Sequence, residues 1–190
     1  MRVSREQAAE NRQRIVTTAA KLFREKGFDG IGVADLMRQA GLTHGGFYGH
    51  FDSKEDLMAE ASDMVLRQSL QRWHERIARH PEDPLGAVVH AYLRPQHRDE
   101  PGGGCAFAAM GSELARQPKS LRRPITETLR GFFDMLGNLI GGRGAAAKRK
   151  QGMYAYSAMV GAIVLSRIAD DDELSREILA AVAEGITARQ

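Results

Sequence analysis

The sequence is poor in cysteine and has no long apolar run. Cys105 is the single cysteine among 190 residues, which excludes an intramolecular disulfide and favours a reducing compartment. The longest apolar run, 158–165, is far shorter than the roughly 20 residues of a membrane span. The charged residues at the N-terminus do not resemble a signal peptide. We therefore expect a cytoplasmic protein that has no membrane partner.

Strand patterns and metal-ligand spacings are also missing. No alternating apolar pattern is long enough for a strand, whereas apolar residues recur at helical spacing, so we expect an all-α fold of about nine helices. His90 and His97 could join Cys105 in a metal site, or serve as a base for a cysteine nucleophile. No Cys-x-x-Cys spacing and no third orienting residue accompanies them. We expect no metal, no other cofactor and no enzyme activity, and a cysteine-dependent enzyme is the competing hypothesis.

Periodicity and capping residues divide the chain into helices. A first helix containing Ile15 and Phe23 ends at Gly27, and two short helices follow, over 33–40 and 47–51. Ser53 and Asp56 form a capping pair that opens a long helix ending near His80. Further helices are predicted over 85–93, 105–116, 121–140, 153–168 and 174–188, with a loop over 94–104. These lengths predict a three-helix head over residues 9–69 and a larger helical bundle over residues 70–190.

Residues 32–51 fit a helix-turn-helix, in which a glycine-containing turn joins two short helices. Gly41 and Leu42 supply the turn, the hydroxyl of Thr43 is expected to cap the second helix, and Phe47 is expected to point inward. The residues expected to point outward are His44, Gly45, Tyr48 and Gly49. Gly45 and Gly46 should each cost about 1 kcal/mol in a helix. Either they let the backbone approach a ligand closely, or they allow close packing on the first helix.

The segment 41–57, GLTHGGFYGHFDSKEDL, resembles the DNA-binding head of TetR-family transcriptional regulators, and the similarity extends back to Gly27 and Phe28. The resemblance implies a sequence-specific repressor that binds a palindromic double-stranded DNA operator as a homodimer. A formal net charge of +3 permits this partner. The sequence departs from the family at Ile31–Gly32, where a Thr or Ser cap is common, and at Gly49, where a large side chain is common.

The resemblance assigns DNA contacts by position. It implies phosphate contacts from Thr43, Tyr48, His50 and Lys54, and contacts with bases from His44, Gly45 and Gly49; Gly46 completes the predicted DNA-binding set. Hydroxyl, imidazole and ammonium groups all donate to phosphate oxygens, which agrees with these roles. In the alternative interpretation, Tyr48 and Phe51 belong to the core, His50 to an internal interface and Lys54 to a solvated helix start.

The C-terminal bundle is expected to bind a small apolar or electrophilic effector and to form the dimer. The predicted effector residues are Trp73, Cys105, Phe107, Met110, Phe133 and Tyr154. The predicted dimer residues are Tyr156, Met159, Val160, Ile163, Val164, Ile178, Leu179 and Val182, with burial inside one subunit as the alternative. A third hypothesis is a ligand-binding module whose head has lost its affinity for DNA.

Cys105 follows a proline and three glycines, and it begins a predicted helix. Because a helix N-terminus stabilises a thiolate, a cysteine there is more reactive. The segment 104–113 is also similar to the same region of family members that sense electrophiles or oxidants. The hypothesis is that modification of Cys105 releases DNA, and the alternative is a buried structural cysteine.

Overall fold

A computed structural model describes residues 4–188, so the last two residues of the predicted C-terminal domain lie outside the described part. Within this range the chain is helical and contains no β-strand, which confirms the predicted all-α class. The α-helices are α1 (Arg5–Lys26), α2 (Val33–Gln39), α3 (Lys54–Arg79), α4 (Pro84–Tyr92), α5 (Pro95–Asp99), α6 (Ala106–Ala115), α7 (Lys119–Ile140), α8 (Ala145–Ile168) and α9 (Asp172–Thr187). Two 3₁₀ segments are η1 (His44–Gly49) and η2 (Pro101–Gly103).

The head consists of α1, α2, η1 and the start of α3. Its core is formed by side chains that recur at helical spacing, among them Phe23, Leu36, Phe47 and Leu57, which are almost fully buried. Gly27 ends α1 as predicted, with a φ of 76° in the left-handed region that favours glycine. The head is therefore a small unit held mainly by apolar burial around α1.

Helix α3 extends from the head into the C-terminal bundle, which we call the body. The Ser53 hydroxyl accepts a hydrogen bond from the Asp56 N–H at 3.0 Å, which confirms the predicted capping pair. The helix ends at Arg79, next to the predicted end at His80. Because α3 packs on both α1 and α7, it connects the two parts of the molecule through one continuous element.

The body is built around the antiparallel pair α7 and α8, with α9 packed on α8. A Cβ at Gly152 would meet the Phe133 carbonyl, and one at Gly137 would meet the Lys148 carbonyl. These two glycines therefore allow the backbones of α7 and α8 to approach closely. None of the helices within residues 4–188 combines the length and the apolar composition of a membrane span.

Three element predictions differ from the structure. Helix α8 begins at Ala145 rather than 153, because the polar segment 148–151 continues the same helix. The predicted loop 94–104 contains α5 and η2, each opened by a proline in its first turn. The second helix of the helix-turn-helix is the 3₁₀ segment η1 rather than an α-helix.

Candidate functional site

The turn of the helix-turn-helix leads into η1. Gly45 and Gly46 disfavour a regular α-helix, and the segment takes the tighter 3₁₀ form. The Gly46 N–H donates to the Thr43 carbonyl at 3.0 Å. The predicted cap by the Thr43 hydroxyl is wrong, since its side chain makes no capping hydrogen bond. A capping hydroxyl accepts from an N–H in the first turn, and the Gly46 N–H is already bonded to the Thr43 carbonyl.

The side chains of η1 divide between core and solvent. Phe47 is buried, and Tyr48 is 67% exposed with its ring edge-on to Phe47 at 5.3 Å between centroids. His44 lies next to Tyr48 and is also exposed. The alternative that Tyr48 belongs to the core is therefore wrong, whereas Phe51 is a core residue. The exposed face of η1 presents a phenol and an imidazole side by side.

The glycines of η1 are not required for packing. A Cβ at Gly45 or Gly49 would meet nothing within 4 Å, and one at Gly46 would make ordinary contacts at 3.7 Å. None of the three has a positive φ. The alternative that Gly45 and Gly46 allow close packing on α1 is therefore wrong. The protein's own fold gives no reason for bare backbone on this surface.

Lys54 and His50 lie at the edge of the same surface, and both are half-buried. The Lys54 ammonium donates to the Phe28 carbonyl and lies 4.2 Å from the centre of the Phe28 ring. The interpretation of Lys54 as a fully solvated lysine is therefore wrong, because its charge is engaged with the loop between α1 and α2. His50 follows η1 as its C-terminal capping residue.

A cavity of about 210 Å³ opens in the body. Its floor is aromatic, and its lining residues come from α3, the α4–α5 region, the segment before α6, and the helices α7 and α8. The lining residues are Ser69, Arg72, Trp73, Arg76, Ala91, Tyr92, Arg94, Gln96, His97, Glu100, Gly103, Gly104, Cys105, Phe132 and Tyr156. The predicted effector residues Trp73 and Cys105 thus lie together in this cavity.

Four predicted effector residues do not line this cavity. Phe107 and Phe133 pack edge-on against Tyr156 from outside the lining, and Met110 is buried in the core. Tyr154 is 53% exposed on α8. Helical spacing identifies the apolar residues that face the core, but it does not tell which of them border a cavity. The arginines of the lining are polar, so an apolar pattern does not identify them.

His97 holds the segment that contains Cys105. Its Nδ1 donates to the Tyr92 carbonyl at 2.7 Å, and its Nε2 accepts from the Cys105 N–H at 2.8 Å. Burial lowers the pKa of His97, which favours the neutral ring that this arrangement requires. Because both nitrogens are occupied, His97 is not placed as a base for the thiol. The described residues contain no cluster of metal-ligating side chains, and His90 does not line the cavity.

Cys105 is 7% exposed, and its Sγ lies 3.5 Å from the Tyr156 hydroxyl. It is the N-terminal capping residue of α6, one residue before the helix that it was predicted to begin, and it lines the cavity. The thiol is therefore both buried and adjacent to a space that a small molecule could enter.

The predicted dimer residues separate into two faces. Tyr156, Met159, Ile163 and Leu179 are buried within the subunit, so their assignment to an interface is wrong. Val160, Val164, Ile178 and Val182 are only partly buried. Other large apolar side chains on α8 and α9 that are exposed are Met153, Leu165, Ile168 and Leu174. Helix α8 has apolar residues on two sides, and the sequence pattern does not tell which side is buried inside the subunit and which could form an interface.

Two long-range contacts join the cavity segment to the head. The Phe28 N–H donates to the Glu113 carboxylate of α6 at 2.9 Å. Arg24 of α1 donates through Nε to the Gly102 carbonyl at 3.0 Å. Burial, followed by the charge of Arg72, lowers the pKa of Arg24 to about 10. The segment between these contacts, 102–113, includes Cys105 and the cavity residues Gly103 and Gly104.

Comparison with known proteins shows which proteins these features resemble. Residues 15–61 match the family model described as bacterial regulatory proteins, tetR family. The HTH-type transcriptional regulator TtgR of Pseudomonas putida is 33% identical over 99 residues, which cover 50% of this chain and 45% of TtgR. The matched segment is thus less than half the length of that relative.

Solved structures are similar over nearly the whole chain. A TetR transcriptional regulator from Chloroflexus aurantiacus has a TM-score of 0.77 at 23% identity and covers 96% of this chain and 95% of its own. FadR of Bacillus subtilis, in complex with stearoyl-CoA, has a TM-score of 0.70 at 19% identity, with coverages of 94% and 98%. These similarities show a shared fold. Together with the match over residues 15–61, they show that the helix-turn-helix segment is similar to the tetR family model and that the chain shares its fold with TetR regulators of known structure.

Proposed function

We propose that this protein is a sequence-specific DNA-binding transcriptional regulator that represses its target and releases the operator when an effector binds. The observation that carries the proposal is the outward face of η1. This face combines an exposed tyrosine with backbone left bare by glycines that the fold does not need. It lies within the residues that match the family's N-terminal model.

The proposed DNA contacts follow from exposure and chemistry. Tyr48 and Thr43 are exposed hydroxyl donors for phosphate, while Gly45, Gly49 and His44 present backbone and an imidazole towards base edges. His50 and Lys54 lie at the edge of this face. Because Lys54 donates to the Phe28 carbonyl, its first role is to orient the loop between α1 and α2. With so few side chains facing the groove, specificity should depend strongly on close backbone approach and DNA shape.

The enzyme hypothesis lacks support from this geometry. Its proposed base, His97, has both ring nitrogens occupied by backbone groups. The relatives and the structural neighbours described above carry the names of transcriptional regulators. A regulatory role is therefore favoured over catalysis at Cys105.

A homodimer would cover the outer face of α8 and α9. Val160, Val164 and Ile168 form one stripe along α8, in which Val160 and Val164 border the core and Ile168 is exposed, and the partly buried Ile178 and Val182 continue the apolar surface on α9. Ile168 is 72% exposed, and a second copy of the chain would remove it from water. A two-fold dimer places two heads on the DNA, which suits a palindromic operator.

The effector would bind in the cavity of the body. A ligand that displaces the segment containing Gly103 and Gly104 would act on the head through the Arg24 and Glu113 contacts at its two ends. A small electrophile could also enter and form a covalent bond to the Cys105 sulfur, with loss of the thiol proton. Burial of the thiol favours the structural alternative, and the two roles make different predictions for a serine variant.

Binding to the DNA upstream of its own gene tests the function. We expect gel retardation that weakens steeply with salt, and a footprint with two half-sites about one helical turn apart. Tyr48→Phe removes only the hydroxyl and should weaken binding about tenfold, as expected for one hydrogen bond to a charged group. Wild-type protein that does not retard this DNA, or Tyr48→Ala that binds as wild type does, contradicts the proposed interface.

The glycines of η1 allow a test that separates stability from DNA binding. Gly45→Ala should leave the fold intact or stabilise it by about 0.4–1 kcal/mol, because the site is open and the unfolded chain loses freedom. The same substitution should weaken operator binding by about 1 kcal/mol or more, roughly fivefold. Urea unfolding and gel retardation measure the two effects.

The matched control is Gly111→Ala in α6, where a Cβ also meets nothing within 4 Å. It should leave operator binding unchanged. If Gly45→Ala binds the operator as tightly as wild type does, the bare backbone has no role in DNA contact.

Cys105→Ser tests the electrophile hypothesis with 1,4-benzoquinone as the probe. Because Cys105 is the only cysteine, wild-type protein should gain one adduct by mass spectrometry and release the operator. The serine variant should stay bound to DNA under the same treatment. Equal release of both proteins by the quinone would show that the thiol is not the sensor.

A further inference from the structure

The rim of the cavity is rich in arginines that form no ion pair, although Arg72 donates a hydrogen bond to the Ser69 hydroxyl. Arg72 and Arg76 on α3 and Arg94 after α4 line it, and none of them forms an ion pair within residues 4–188. Arg67 and Arg79 on the same helix α3 do pair with carboxylates. On α3, the two arginines that form no ion pair are therefore the two that line the cavity. This arrangement indicates a binding site for an anion.

One acidic residue shares the lining with these arginines. The Glu100 carboxylate accepts a hydrogen bond from the Gln96 amide at 3.2 Å and forms no ion pair with the rim arginines. Burial lowers the pKa of His97, and its Nε2 accepts a backbone hydrogen bond, so the neutral ring is favoured. The lining therefore keeps an excess of positive charge, which a ligand carboxylate would offset.

The floor of the cavity is made of aromatic rings. Phe132 and Tyr156 stack with centroids 4.8 Å apart, and the ring of Trp73 meets Phe132 edge-on at 4.9 Å. Tyr92 meets Trp73 edge-on at 5.8 Å. A planar ring that enters the cavity would meet this aromatic cluster, and aromatic pairs prefer stacked or edge-on arrangements.

The floor also contains a weakly paired polar group. The Tyr92 hydroxyl is buried and forms no hydrogen bond of normal geometry, and the Cys105 thiol, a weak partner, interacts with it. Burial, and then the neighbouring Cys105, raises the pKa of Tyr92, so the phenol remains a neutral donor. Buried hydroxyls are normally paired with a strong acceptor, so a phenol whose partner is only a thiol can donate to a ligand acceptor in the adjacent cavity.

We propose that this cavity binds a small aromatic carboxylate, with its ring on the aromatic floor and its carboxylate held by the arginines of the rim. The volume of about 210 Å³ lies below the roughly 300–1,000 Å³ of sites for drug-sized ligands, so the ligand is small. The assignment of this ligand as the effector rests on the proposed function, whereas its binding does not depend on DNA. The proposed effector is therefore an anion rather than a purely apolar molecule.

The chain carries its own reporter for this binding. Trp73 is the only tryptophan in the sequence and lines the cavity, so intrinsic fluorescence reports on the site directly. The probes are sodium benzoate, the neutral analogue benzamide and phenyl phosphate, each titrated to millimolar concentration. We expect benzoate to change the fluorescence saturably and benzamide to bind at least about tenfold more weakly, because it lacks the charge.

Arginine variants identify the contacts. Arg76→Gln/Arg94→Gln should weaken benzoate binding about tenfold, and the matched pair Arg67→Gln/Arg79→Gln should leave it unchanged. Circular dichroism checks that both variants keep the helical fold. Equal binding of benzoate and benzamide, no response to benzoate, or equal effects of the two double variants overturns the proposal. Tighter binding of phenyl phosphate than of benzoate overturns the carboxylate assignment in favour of a phosphate.

Gel retardation with benzoate separates this inference from the proposed function. Benzoate that binds at Trp73 and reduces operator binding supports the ligand class and its role as effector. Benzoate that binds without changing operator affinity supports the site and contradicts its effector role. Protein that binds benzoate but retards no DNA contradicts the proposed function and leaves the ligand class supported.

Discussion

Two hydrogen bonds of the Phe28 backbone hold the loop between α1 and α2 in place, and the proposed coupling of head and body depends on them. The Phe28 N–H donates to Glu113 of the body, and its carbonyl accepts from Lys54 at the start of α3. Gly27 makes this possible, because its φ of 76° turns the chain and a Cβ there would lie 3.1 Å from the Glu113 carboxylate. The loop between α1 and α2 is thus fixed from both sides, and with it the orientation of the helix-turn-helix.

The segment 102–113 of the body connects the Glu113 contact to the cavity. Arg24 binds the Gly102 carbonyl, and the next residues, Gly103 and Gly104, line the cavity. Burial, and then the charge of Arg72 on the rim, lowers the pKa of Arg24, so an anion bound at Arg72 would also stabilise the charge that holds α1 to this segment. A ligand that moves or stiffens the segment therefore has a short physical route to the head, consistent with coupling energies of about 1–3 kcal/mol in regulated proteins.

Local chemistry made much of the fold predictable. The Ser53–Asp56 capping pair, the inward Phe47 and the outward Tyr48 depend on spacing within one or two turns. The 3₁₀ form of η1 was missed because propensities do not distinguish a weak α-helix from a tighter one. The cavity and the Glu113–Phe28 contact join residues far apart in sequence. No local pattern shows that Arg72 and Arg94 line the same cavity, or that Tyr156 is buried inside the subunit.

The most direct test of the coupling is the operator affinity of Glu113→Ala, a residue that is remote from the proposed DNA-binding face. The variant leaves the Phe28 N–H without its partner, so the account predicts operator binding weaker by about fivefold or more, because a freer head must be ordered on DNA. Glu127→Ala, which removes the exposed pair with Arg130, serves as the control and should bind like wild type. A Glu113→Ala protein that is folded and binds the operator as tightly as wild type would contradict the account.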